Sequence, residues 1–205
     1  MVELFISSFI TFFVITDPPG CAPIYAGLTG DASAVQRRSM AMRAVGVATT
    51  ILLVFALFGE ELLKGLGIEL ASFQIAGGIM LFLIALEMVF EKRTQRREDR
   101  AAAVALEEVE DVSIFPMAMP MIAGPGSIAS VMLLMGQTDG TTAKLVVLAA
   151  LASNLLLMLV ALLAAAPLMR LLGAKIEAVI TRVLGVLLAA LASQFVIDGL
   201  RASFL

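Results

Sequence analysis

The sequence has no histidine and no tryptophan, a single cysteine (Cys21), a single tyrosine (Tyr25) and only 15% charged residues. Each shortage removes a class of chemistry. Without imidazole there is no Ser-His or Cys-His nucleophile pair and no histidine ligand for zinc or haem. One cysteine excludes an internal disulfide. A net charge of −3 argues against a nucleic-acid partner. The abundant component is apolar: 60% of 205 residues, where soluble domains hold about 45–50%. A water-soluble domain of ~150 residues buries only about 70% of the surface its unfolded chain exposes. That is too little to hide this much apolar surface, so the composition points to lipid as the solvent.

Six apolar stretches follow along the chain: Leu4–Leu28, Ala44–Leu63, Leu70–Phe90, Val112–Met135, Leu145–Met169 and Ile176–Leu200. Each has 20 to 25 residues, enough to cross a hydrocarbon core ~30 Å thick. The first reads as a span rather than a cleavable signal, because no Lys or Arg precedes Leu4 and the run ends in Asp17-Pro18-Pro19-Gly20. Eleven Lys and Arg fall in the connections after spans one, three and five, among them Arg37, Arg38 and Arg43; only Lys64, Lys144 and Arg201 fall on the other side. Basic residues are retained in the cytoplasm, so both termini are expected outside. The polar segment 92–111 reads as a solvated cytoplasmic connector.

A weak internal repeat places Pro19-Gly20 against Pro125-Gly126 and Gly78 against Gly185. Three spans per repeat is an odd number, so residues 112–205 are expected to be inverted in the membrane relative to residues 1–91, within a single transmembrane domain. Both Pro-Gly breaks fall in mid-span. Proline removes an amide donor and clashes with the preceding turn, so spans one and four are expected to be broken helices. Paired interruptions in inverted repeats point to a secondary transporter with its site at the bilayer midplane. In each span the second half-helix starts at the midplane, so two positive dipole ends converge there. The second break contains no acid, leaving the amides around Gly126, Ser127 and Ile128 for a ligand carboxylate. The first carries Asp17, whose carboxylate has three readings: a cap for its own helix, a holder of a proton or cation, or a receptor for a ligand ammonium. A small zwitterion would suit such a pair. Simple proline kinks are the plainer alternative.

Other polar residues in the spans are secondary candidates. Asn154 can reach the centre, or hydrogen-bond to Thr49 or Thr50. Glu87 and Arg182 can pair across the repeat interface or reach separately to the headgroups. Gln74 and Gln194, on the outer side, read as gating or packing residues. Gly185, Ala189 and Ser193, four apart, suggest a close helix contact. Gly126-Ser127 has a faint likeness to a serine nucleophile, but no histidine or second deep acid accompanies it.

These motifs resemble the MarC family of bacterial and archaeal membrane proteins. The resemblance rests on Phe13 through Pro23 with Asp17-Pro18-Pro19-Gly20, Phe73 through Phe82, Phe115-Pro116 through Pro120, Ala123-Gly124-Pro125-Gly126, and Thr181 through Gly199. It covers all six spans. It implies a six-helix protein of the cytoplasmic (inner) membrane, similar to members that carry small neutral amino acids such as glycine and alanine. One departure is Cys21, where the family commonly has Asn. The combined expectation is an all-α transporter with a substrate site drawn from Asp17, Pro19, Gly20, Cys21, Gly124, Gly126, Ser127 and Asn154. It has no catalytic group, cofactor or metal, H+ or Na+ as coupling ion, and lipid and substrate as partners; homo-oligomers are compatible with it. Export or permeation of other small solutes, drugs included, is the alternative, and a membrane-embedded enzyme a remote one.

Overall fold

A computed structural model of the chain describes residues 1–30, 32–90 and 111–204, apart from the side chains of 166, 168–175 and 177. The expected connector 92–111 lies outside the described residues except for Asp111. Every described element is a helix: α1 (Val2–Thr16), α2 (Pro18–Leu28), α3 (Ala34–Gly65), α4 (Leu70–Val89), an irregular α5 (Ser113–Ile122), α6 (Pro125–Gly136), α7 (Thr141–Leu163) and α8 (Ala165–Phe204). Five stretches are long and apolar enough to cross a membrane, and α5 with α6, bent by 52°, makes a sixth.

The surface is inside-out for a water-soluble protein. On α3, Val54, Leu57, Phe58 and Leu62 are exposed, while Leu52, Ala56, Gly59 and Leu63 turn inward. A chain that leaves this much large apolar surface uncovered needs a hydrocarbon solvent. The α1–α2 span is the central one. Of its apolar window 56% is buried, against 33% for α3, α4 and residues Ala178–Phe204. It divides the interior: Phe12, Cys21 and Ala22 join a core with α3, α6 and α7, whereas Val14 and Ile15 join one with α4 and α8.

Helices α4 and α8 meet backbone to backbone. A Cβ added at Gly78 would lie 2.9 Å from the Ala192 carbonyl oxygen, one at Gly185 would lie 3.1 Å from that of Ala85, and one at Gly199 would lie 3.0 Å from that of Ala71. Small residues permit such approach, and it is the main source of helix association where lipid removes the hydrophobic drive. The contact stripe on α8 runs through Gly185, Leu188, Ala192 and Gly199. Ser193, expected in it, is instead exposed and donates to Ala189 O on its own helix.

Two span boundaries differ from expectation. Helix α3 begins at Ala34, ten residues before the apolar run, because Ser33 and Gln36 form a reciprocal capping box. The fifth span ends at Leu163 rather than Met169. Pro167 has no amide hydrogen and would clash with the carbonyl of residue 163 in a continuous helix. A new helix with proline in its first turn removes the conflict.

At one end of the bundle Glu60 pairs with Lys64 (2.8 Å) and lies 3.7 Å from Lys144. On the opposite end Arg43 bonds Asp111 at 2.7 Å, and the Tyr25 hydroxyl donates to the Arg37 carbonyl, tying α2 to the start of α3.

Adding a methyl group at Gly78 or Gly185 must push α4 and α8 apart, at a cost of about 1–3 kcal/mol for such overpacking. Gly78→Ala and Gly185→Ala are expected to lower the thermal unfolding midpoint in detergent. Gly46→Ala, where nothing lies within 4 Å of the new Cβ, is expected to leave it unchanged or raise it.

Candidate functional site

The first span is interrupted at Asp17. Helix α1 ends at Thr16, and Asp17 takes the left-handed conformation (φ 55°, ψ 64°) that aspartate tolerates better than most side chains. Helix α2 then opens on Pro18, whose missing amide is no loss at a first helical position. The Asp17 carboxylate folds back over this turn and accepts from the Gly20 amide at 3.1 Å. A Cβ at Gly20 would sit 2.3 Å from Asp17 Oδ2, so glycine is required for the carboxylate to cap its helix this closely. The cap, one of the roles open to Asp17, is formed here. The residue is 1% exposed.

Around this turn sit further buried polar groups. Cys21 Sγ contacts the Thr16 carbonyl oxygen at 3.4 Å. The Thr16 hydroxyl donates to Phe12 O at 2.9 Å and accepts from Asn154 Nδ2 of α7 at 3.0 Å. Asn154 therefore binds neither Thr49 nor Thr50, whose hydroxyls bond Val45 O and Gly46 O on their own helix. The Thr16 hydroxyl has one proton and gives it to Phe12, so it can meet Asn154 only as an acceptor. That fixes the amide with its nitrogen toward Thr16. Asn154 Oδ1 is left buried with no hydrogen-bond partner. An orphaned acceptor at such depth costs about 1–3 kcal/mol and marks a place for a donor.

The second interruption lies between α5 and α6. Phe115 and Met119 each precede a proline and are driven out of helical geometry; the α5 turns close with wide bonds such as Ala123 N–H to Ala118 O, 2.9 Å. At Gly124 a Cβ would fall 2.4 Å from the Pro120 carbonyl oxygen, so only glycine fits this turn. No side chain caps α6. Its Ile128 amide is nevertheless taken by Gly124 O at 3.0 Å, which corrects the expectation that it is available; the first-turn amides of Gly126 and Ser127 remain. The Ser127 hydroxyl donates to Ile122 O at 2.7 Å and that of Ser130 to Gly126 O at 2.8 Å.

The two breaks approach one another. A Cβ at Gly126 would lie 3.5 Å from Ile15 Cγ2, two residues before Asp17, and 2.7 Å from Ile84 Cδ1 of α4. Asp17, Gly20, Cys21 and Asn154 thus form one cluster, with Pro19 half-buried beside it. Gly124, Gly126 and Ser127 form a second, and the Ile15–Gly126 contact joins them. The centre is buried, with Asp17, Cys21 and Asn154 at most 1% exposed. Two cavities of about 460 and 400 Å³ lie toward opposite ends of the bundle, and no residue of either break lines them.

The other candidates lie on α4 and α8. Gln74 is buried on α4, whereas Gln194 is exposed on α8 and donates to Asp198 Oδ1 at 2.7 Å. Glu87, half-buried, and Arg182, exposed, flank the Gly185–Ala85 contact on α4 and α8. Sequence reasoning missed Thr16, which links both broken-helix backbone and Asn154. It also missed Ser8, a buried hydroxyl without a partner about two turns earlier on α1. The available signal was a hydroxyl residue directly preceding an intramembrane acid.

Comparison with known proteins agrees along the whole chain. Residues 2–204 match the MarC family integral membrane proteins. The chain is 36% identical over 207 residues to UPF0056 membrane protein MJ1677 of Methanocaldococcus jannaschii, covering 100% of this chain and 99% of that one. It is 33% identical over 199 residues to a UPF0056 membrane protein of Archaeoglobus fulgidus, covering 97% and 93%. To the UPF0056 inner membrane protein YhgN of Escherichia coli K12 it is 32% identical over 196 residues, covering 96% and 95%. No solved structure matches significantly. With its helices, its apolar exterior and its two central breaks all falling inside the matched range, the chain belongs to the MarC family of integral membrane proteins.

Proposed function

We propose that this protein is a secondary transporter of small neutral amino acids of the glycine and alanine class, with the zwitterion held at mid-membrane between the breaks at Asp17 and at Gly124–Gly126. The observation that carries the reading is the interrupted, buried centre: two non-helical turns meet across Ile15 and Gly126, one bearing a buried carboxylate. Such breaks cost several kcal/mol per unsatisfied group in lipid, and ionisable side chains at this depth point to function. In this reading the substrate carboxylate lies on the Gly126 and Ser127 amides at the positive end of α6. The substrate ammonium donates to Asn154 Oδ1 and faces Asp17, which carries the coupling H+ or Na+. The closed packing around Gly126 corresponds to an occluded state, and transport requires Ile15 and Ile84 to withdraw from it.

The reading treats residues 1–91 and 112–205 as inverted repeats. The reciprocal Gly78–Ala192 and Gly185–Ala85 contacts support this, since adding 107 to residues 78 and 85 yields 185 and 192. Termini outside the cell are supported by the gathering of Lys64 and Lys144 at one acidic end and of Arg37, Arg38 and Arg43 at the other. Against an enzyme stands the Ser127 hydroxyl, whose proton is engaged by Ile122 O rather than by a base.

Reconstituted into liposomes, the protein is expected to move labelled glycine down an imposed H+ or Na+ gradient. Asp17→Asn keeps the left-handed turn but removes the charge, and uptake should fall about tenfold or more. Wild-type rates in that variant remove Asp17 from the mechanism. Gly126→Val is expected to abolish glycine binding while the protein stays monodisperse; unchanged affinity reduces the second break to a kink. If no neutral amino acid shifts the unfolding midpoint of the wild type, the cargo belongs to another class of small solute.

A further inference from the structure

The cavity of about 460 Å³ has no part in the proposed transport site. It lies where the ends of α2 and α7 meet the starts of α3 and α8, and it is walled by Tyr25, Thr29, Arg37, Arg38, Leu163 and Pro167 among others. Its chemistry is divided. The polar side has two guanidinium groups, Arg37 half-buried and Arg38 exposed, and no ion pair to either is formed among the described residues. Arg43, by contrast, is neutralised by Asp111. The positive end of α3, which starts at Ala34 in the cavity wall, adds to the same field. This rim is held in place: Tyr25 donates to the Arg37 carbonyl, and the buried Thr29 hydroxyl bonds Tyr25 O at 2.7 Å.

The other side opens onto the lipid-facing surface. Leu163 in the cavity wall is the last member of a stripe with Val160 and Leu156 on one face of α7, and all three are exposed. The spacings of three and four residues put them in line along the helix. A cationic pocket at the membrane–water boundary that continues into an apolar track along a spanning helix has the outline of a phospholipid.

We propose that this cavity binds the phosphodiester headgroup of an anionic glycerophospholipid, with Arg37 and Arg38 on the phosphate and one acyl chain along Leu163, Val160 and Leu156. Basic pockets between spanning helices hold anionic headgroups by this combination of charge and depth. A free phosphate would satisfy the guanidinium groups but leave the stripe unused. A zwitterionic lipid would fill the stripe but bring its own cation to the rim. An anionic lipid uses both. Bound there, it bridges α3 to α7, elements from opposite halves of the chain.

The test is native mass spectrometry and thermal unfolding of the detergent-solubilised full chain with phosphatidylglycerol, phosphatidylcholine, glycerol 3-phosphate or inorganic phosphate. Phosphatidylglycerol is expected to bind and raise the unfolding midpoint, and the other three to leave it unmoved. Arg37→Gln with Arg38→Gln should weaken phosphatidylglycerol binding about 30-fold, at the usual contribution per basic residue. Lysine at both positions should retain it, and Arg201→Gln at the far end should not change it. If the double variant fails to fold, Arg38→Gln alone should show about a fivefold loss. Equal stabilisation by phosphatidylcholine, an equal response to either soluble phosphate, or full binding by the glutamine variants overturns the proposal. None of these outcomes depends on whether glycine is transported.

Discussion

A helix interrupted inside an apolar bundle must satisfy its freed backbone groups from within the protein, because apolar surroundings offer neither donor nor acceptor. The rest of this molecule is arranged around that constraint. At the first interruption the Asp17 carboxylate takes the Gly20 amide, and Cys21 reaches the Thr16 carbonyl oxygen. At the second, hydroxyls from Ser127 and Ser130 take the Ile122 and Gly126 carbonyls. Both turns are wrapped by other helices, which explains why the α1–α2 span is the most deeply buried of those that cross. Local satisfaction stops short at the uncapped start of α6 and at the orphaned Asn154 oxygen.

Packing supports the centre in two different ways. On one side α4 and α8 lie in backbone contact at Gly78, Gly185 and Gly199, which leaves little room for them to slide past each other. On the other, α1 and α7 share a core that includes Phe12, Leu151 and Leu155, and Asn154 adds a hydrogen bond to Thr16, a link of about 0.6–2 kcal/mol in a membrane protein.

The spans were legible in the sequence because hydrocarbon imposes both length and composition on a crossing segment. The residues at which helical geometry gives way, Asp17 and Gly124, were marked in the sequence too, since proline and glycine act through their own covalent geometry. Boundaries were less so. The early start of α3 was encoded in Ser33 and Gln36, a polar signal outside the apolar run that hydropathy ignores. The end of the fifth span depended on Pro167, whose effect falls four residues upstream. Lateral neighbours were not legible at all. Nothing in the order of residues tells Asn154 to meet Thr16 rather than Thr49, or turns Gln194 away from Gln74. Those choices depend on how each helix is rotated, which packing between segments distant in sequence decides.

The lone thiol has a consequence of its own. Cys21 is fully buried, with its sulfur against the carbonyl at the first interruption, and no other cysteine competes with it. A reagent in solution can reach that sulfur only while the central turns are parted. The rate at which a small alkylating compound labels the unaltered protein therefore scales with the fraction of time the core of the membrane span stands open. The chain carries a built-in clock for its own breathing, readable without a single substitution.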